Sequence, residues 1–141
     1  MFFGEFEYKI DQKGRVPIPP RFIRELKDGL VLTTGTERCI VAYPLREWKR
    51  LADELTSGSV PRDKMRRLNR AFFGAAFSVH IDGQRRVALP ATLRDYAEIM
   101  DEVVIIGANT YLELWNRVLW EEEKAISQEQ AWQIIESLEK H

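Results

Sequence analysis

The chain has 141 residues, 45% of them apolar, and a formal net charge of −1. That length accommodates one compact domain or two small units sharing a core, and the ordinary apolar content argues against disorder. No run reaches the roughly 18–20 apolar residues of a membrane span, the start Met1-Phe2-Phe3-Gly4 does not read as a signal peptide, and the one cysteine, Cys39, excludes an internal disulfide and fits a reducing cytoplasm.

From the N-terminus, Phe6, Tyr8 and Ile10 alternate with Glu5, Glu7 and Lys9, the period-two pattern of a half-buried strand. Asp11-Gln12-Lys13-Gly14-Arg15 follows as a tight turn, in which an aspartate can accept bonds from downstream amides and Gly14 supplies a positive φ. A short strand at Val16 and Ile18 stops at Pro19. Pro20–Leu26 then reads as a short helix opened by proline, whose missing N–H costs nothing in a first turn. The run Leu30–Thr34 turns at Gly35 into Cys39–Tyr43. Trp48, Leu51 and Leu55 fall at helical spacing, as do Met65, Leu68 and Phe72 beyond a Thr56–Pro61 loop.

The pattern then begins again. Phe77-Ser78-Val79-His80-Ile81-Asp82 repeats Phe6 to Asp11 at an offset of 71, and Arg86-Val87-Ala88-Leu89-Pro90 repeats Arg15 to Pro19 at the same offset. After a one-residue slip, Gly35 matches Gly107, Ile40 Leu112, Tyr43 Trp115 and Trp48 Trp120. Ala91–Ala97 is the second short helix, Val103–Ile106 and Tyr111–Trp115 are strands, and Leu119–Ile126 and Gln130–Leu138 read as two helical segments. Each unit is thus β-β-α-β-β, and a unit of about 45 residues cannot close a core alone. Strands of one unit are expected to complete the sheet of the other. The expected fold is α+β, mainly β: a tandem, pseudo-twofold, intertwined β-barrel with flanking helices. The expected boundaries are 1–50 and 73–118 for the two units, 51–72 for a helical connector and 119–141 for a helical tail.

Charge is polarised along the chain. Lys9, Lys13, Arg15, Arg21 and Arg24 stand against Asp11 alone, and Arg62, Lys64, Arg66, Arg67 and Arg70 against Asp63 alone. From Glu113 onward seven glutamates face three bases. A nearly neutral chain can therefore present a basic face to nucleic acid, although the Arg62–Arg70 run also reads as a solvated helix face.

The two turns carry the chemistry. An arginine following a rigid turn is planar, permanently charged and able to bond guanine O6 and N7 together. Lys13 beside it suits a phosphate. Taken singly, such a turn is an ordinary hairpin whose arginine pairs with its aspartate, but its repetition at Asp82-Gly83-Gln84-Arg85-Arg86 favours a nucleic-acid contact.

The paired D-x-x-G-R turns followed by V-x-I-P and V-x-L-P resemble the SpoVT/AbrB-type swapped-hairpin DNA-binding domain. The tandem arrangement, with Tyr43-Pro44-Leu45-x-x-Trp48 and Glu113-Leu114-Trp115, is similar to the MraZ family over residues 1–120. This resemblance implies a cytoplasmic, nucleoid-associated regulator, usually a repressor, that binds double-stranded DNA at short promoter direct repeats before the division and cell-wall gene cluster. It also implies a homo-oligomer closed into a ring, octamers being usual, with no membrane partner and no cofactor. Carried over by position, the DNA-binding residues are Lys13 and Arg15 in the first turn and Gln84 and Arg86 in the second. Arg85 stands where the family pattern has glycine. Gly83, two places earlier, is the candidate to carry the positive φ instead, which leaves Arg85 as an added phosphate contact.

Catalysis is the competing class. His80, His141 and Cys39 do not make a convincing metal set, and no phosphate-loop, dinucleotide or nucleophile-elbow string occurs. A non-catalytic scaffold or peptide-binding multimer is the other alternative.

Overall fold

The computed structural model describes residues 1–139; His141 lies outside the described residues. In chain order the elements are β1 (Glu5–Lys9), β2 (Arg15–Pro17), a 3-10 turn (Pro20–Phe22) running into α1 (Ile23–Leu26), β3 (Leu30–Thr34), β4 (Ile40–Pro44) and α2 (Leu45–Ser57). After α3 (Arg62–Leu68) and a π-helical turn (Asn69–Phe73) come β5 (Phe77–Val79), β6 (Arg86–Ala88), α4 (Ala91–Ala97), β7 (Glu102–Gly107), β8 (Leu112–Trp115) and α5 (Arg117–Glu139).

Six strands form one antiparallel sheet in the order β1-β7-β8-β4-β3-β5, and β2 pairs with β6 in a separate ribbon. The order is a palindrome of the repeat. β1 of the first unit lies beside β7 of the second, β5 of the second beside β3 of the first, and β8 meets β4 at the centre. The units are therefore intertwined, as a unit too small for its own core requires. The fold is α+β and mainly antiparallel sheet. Closure into a hydrogen-bonded barrel is not among the described pairings: β1 and β5 end the sheet, and the ribbon lies across its core face.

Alternation decides what that face buries. Leu30, Leu32, Ile40, Ala42, Val103, Ile105, Leu112 and Leu114 point inward and meet Val16, Ile18, Val87 and Leu89 from the ribbon. Phe22 and Leu26 of the first short helix and Leu93 and Ala97 of α4 complete the cluster. Pro20 opens the first of these turns without needing an N–H partner.

The opposite face carries a smaller cluster, Cys39, Val41, Val104, Trp115 and Trp120. The repeat shows again here: Trp48 packs on Tyr43 at 5.7 Å between ring centroids, and Trp120 on Trp115 at 5.6 Å. Phe72 and Phe73 close over Trp48, so the basic helix α3 is anchored by the aromatic turn that follows it.

Two expectations change in detail. Leu119–Ile126 and Gln130–Leu138 belong to one continuous helix, α5, because Ser127, Gln128 and Glu129 contain no helix breaker. The register also places Gly107 opposite Leu112 and Thr34 opposite Ile40. Gly107 thus occupies the place of Thr34, and Ala108 that of Gly35. The β3–β4 connection is one residue longer than its counterpart, closed by Gly35 N–H to Cys39 O rather than Ala108 N–H to Tyr111 O.

Glu113 sits half-buried on the smaller face, accepting a 3.0 Å bond from Trp115 Nε1. Burial raises its pKa, and the Glu37 and Glu123 charges push the same way. Above that raised value the ionised carboxylate opposes folding, whereas below the ordinary carboxylate range it is protonated in both states and the penalty vanishes. Glu113→Gln keeps the acceptor and removes the charge. It is expected to raise the melting temperature at neutral pH and to lose that advantage in acid, as thermal melts across pH would show.

Candidate nucleic-acid interface

Both turns follow one hydrogen-bonding plan. In the first, Asp11 Oδ1 accepts from the amides of Lys13 and Arg15, each at 2.9 Å, and Gly14 N–H donates to Asp11 O at 3.0 Å. In the second, Asp82 Oδ1 accepts from the amides of Gln84 at 2.8 Å and Arg86 at 2.9 Å, and Arg85 N–H donates to Asp82 O at 3.0 Å. The amide of Arg15 is the main influence lowering the pKa of Asp11, and that of Arg86 does the same for Asp82. A depressed carboxylate pKa means these bonds persist as pH falls, until the depressed value itself is crossed. The turns are held throughout the neutral range.

The fourth turn position is left-handed in both, φ +77° at Gly14 and φ +63° at Arg85. Positive φ has not moved to Gly83, contrary to expectation. Arg85 N–H closes on Asp82 O at 3.0 Å and Asp82 N–H on Arg86 O at 2.8 Å, so the chain swings back into the ribbon at residue 85, and Gly83 is not the left-handed residue. A side chain accepts this conformation at a cost on the order of 1 kcal/mol.

The ribbon brings the turns together. Val16 faces Val87, while Arg15 lies opposite Ala88 and Pro17 opposite Arg86. The valines are buried, and alternation places Arg15 and Arg86 diagonally on the other face. The twofold relation extends outward: Ile18 N–H donates to Arg85 O at 3.0 Å and Leu89 N–H to Gly14 O at 2.9 Å.

Each arginine is tethered at its root. Arg15 Nε donates to Asp11 Oδ2 at 2.7 Å and Arg86 Nε to Asp82 Oδ2 at 3.2 Å. Arg86 Nη1 also reaches Asp11 Oδ2 at 3.4 Å, linking the two turns. The side chains stay 30% and 22% exposed. The arginine pairs with its aspartate through Nε, and among the described residues the Arg15 terminal nitrogens bond no protein group. Such a tether fixes the plane of a guanidinium and removes entropy that a free side chain would lose on binding.

Lys13, Gln84 and Arg85 are exposed around this pair. Asp11 holds two guanidinium groups and Asp82 one, so Asp11→Asn is expected to weaken specific binding more than Asp82→Asn. Equal losses in parallel DNA titrations would contradict a shared role for Asp11.

Arg94 of α4 gave no signal when its segment was read alone. Its Nε donates to Leu89 O at 3.0 Å, and a Cβ at Gly14 would stand 3.0 Å from its guanidinium carbon. Aligning the repeats reveals it, because Ile23 occupies the corresponding place. Arg62, Lys64, Arg66, Arg67 and Arg70 are all exposed. Among the described residues no group of three or more His, Cys, Asp or Glu side chains could hold a metal ion.

Comparison with known proteins agrees with this two-turn layout. A family model described as "MraZ protein, putative antitoxin-like" matches twice in succession, over residues 1–71 and 72–137. A transcriptional regulator MraZ of Dehalococcoides mccartyi strain BAV1 is 60% identical over 142 residues, covering 100% of both chains. Its namesake in strain 195 is 58% identical over 140 residues, 99% of each. The transcriptional regulator MraZ of Halothermothrix orenii is 42% identical over 120 residues, 85% of this chain and 84% of its own. Matched end to end, and matched twice by the family's own pattern, the chain belongs to the MraZ family.

Proposed function

We propose that this chain is a transcriptional regulator that reads double-stranded DNA with its two arginine-bearing turns and does no catalysis. The observation that carries this reading is the pair of guanidinium groups on one face of the β2–β6 ribbon, each tethered through Nε. A two-stranded ribbon fits the major groove, where guanine presents O6 and N7 side by side. Arg15 and Arg86 take the role of base readers, and Lys13, Gln84 and Arg85 form the surrounding rim that meets phosphates and base edges. Residues 1–50 and 73–118 act as the reading units, 51–72 as the connector and 119–141 as the tail.

The finer assignment follows the family resemblance. The target is a set of short direct repeats before the division and cell-wall gene cluster, the effect is repression, and the site of action is the nucleoid. One small turn gives little affinity, whereas several on a closed ring, with eight copies favoured, gain through effective concentration. Trp132, Ile135 and Leu138 on the distal part of α5 are 70%, 41% and 69% exposed, an apolar stripe suited to self-association.

The test is a fluorescence-anisotropy titration with the DNA upstream of the chain's own coding sequence and a scrambled duplex of equal composition. Preference for the upstream duplex, with affinity falling steeply as salt rises, is the expected result. Equal affinity for both duplexes, or a flat salt response, would favour a scaffold or peptide-binding protein instead.

A further inference from the structure

The difference between Gly14 and Arg85 is balanced elsewhere in the fold. Arg94 lies against Gly14, in space that a side chain at residue 14 would need. Its counterpart in the other unit is Ile23, and there the turn supplies an arginine of its own, Arg85. Each turn therefore has one guanidinium based at, or packed upon, its left-handed fourth position. In the first it comes from α4, in the second from the turn itself.

The surroundings of Arg94 point to an anion. The side chain is half-buried, and among the described residues its one hydrogen bond runs from Nε to Leu89 O. None of the described residues places a carboxylate oxygen within the 4.0 Å of an ion pair. A half-shielded cation without a counter-charge, beside a turn whose geometry is already fixed, is in the condition that a phosphate relieves. Arg15, in contrast, is already partly neutralised by Asp11.

We propose that Arg94 is a phosphate-binding residue of the first turn, the counterpart of Arg85 in the second, and that its ligand is a backbone phosphodiester flanking the base pairs met by Arg15. This rests on the DNA-reading role proposed above. A bond to phosphate fixes register without carrying sequence information. Arg94 and Arg15 therefore divide the work at one turn: one seats the duplex and the other reads it. The repeats have kept the seating charge while changing the element that bears it.

The experiment uses the full chain and the same two labelled duplexes, upstream and scrambled, across a salt series. Arg94→Gln is expected to weaken binding to both by a similar factor, roughly 5- to 20-fold at low salt. The slope of log affinity against log salt should also fall by about 0.9 for each phosphate that the variant no longer neutralises. Arg94→Lys keeps the charge but not the arginine fork, and is expected to retain most of the slope. Two results overturn the proposal: an unchanged slope in Arg94→Gln, or equal losses in Arg94→Gln and Arg94→Lys accompanied by a lower melting temperature, which would make Arg94 a strut for α4. If wild type itself does not distinguish the duplexes, the DNA-reading role fails. If wild type discriminates and Arg94→Gln keeps its slope, only the phosphate assignment fails.

Discussion

Arg15→Ala is expected to abolish discrimination between the upstream and scrambled duplexes while leaving the fold and the assembly intact. The side chain is 30% exposed and stands on the outer face of the ribbon, so its removal opens no core cavity. A bidentate arginine–guanine pair contributes about 1–3 kcal/mol of discrimination, a factor of roughly 5 to 150 for each turn on the DNA. Several turns acting together multiply that loss. Arg86→Ala is expected to act in the same direction. Its guanidinium is more fully occupied, by Asp82 and Asp11 together, so its loss also loosens the link between turns. Anisotropy titrations with both duplexes, alongside circular dichroism and sizing of each variant, check this. Retained preference in either variant would remove that turn from the reading surface.

The largest effect on stability is expected at Gly107. An added Cβ there would lie 2.5 Å from Phe3 Cα and 2.7 Å from the Phe2 carbonyl carbon. The obstruction is backbone, not the tip of a flexible side chain. The N-terminal segment crosses at this point, held by Phe2 and Asn109 exchanging backbone bonds at 2.8 Å, and it places Phe2 edge-on to Phe22 in the core. Gly107→Ala must displace that segment, and a cost of about 1–3 kcal/mol is expected, as for overpacking elsewhere. Gly83→Ala is the control, since a Cβ there meets nothing within 4 Å. Urea denaturation should show a clear drop in midpoint for the first variant and little change for the second.

The local elements were legible in the sequence for physical reasons. Phe6, Tyr8 and Ile10 alternate because one side of β1 faces the core, and Pro19 and Pro90 stand where strands end and short helices begin. The repeat carried more, since two copies of an incomplete unit imply exchange of strands. Which strands exchange was not legible. The pairing of Glu5–Lys9 with residues 102–106 joins positions about a hundred apart, and no local pattern encodes it. The one-residue difference between the two hairpin connections hid the true partner of Gly107, because matching glycine to glycine is the simpler alignment.

The candidate site was legible at its centre and not at its edge. The repeated turn by itself draws attention to Lys13 and Arg15, whereas Gln84 and Arg86 follow from carrying the family resemblance over by position, and Arg85 from its departure from the family pattern. Positive φ falls on Arg85 and not on Gly83: glycine favours that region, but the bonds that bracket residue 85, Arg85 N–H to Asp82 O and Asp82 N–H to Arg86 O, require it there. The cross-turn bond from Arg86 to Asp11 and the seat of Arg94 on Gly14 arise only when the units interlock.

Replacing guanine by 7-deazaguanine, one position at a time in the upstream duplex, deletes the N7 acceptor without altering base pairing. Wild type is expected to lose affinity at particular guanines, and the Arg15→Ala, Arg86→Ala double variant to be indifferent at those same positions. A wild type insensitive to every such replacement, or a double variant as sensitive as wild type, would mean that these guanidinium groups do not read bases.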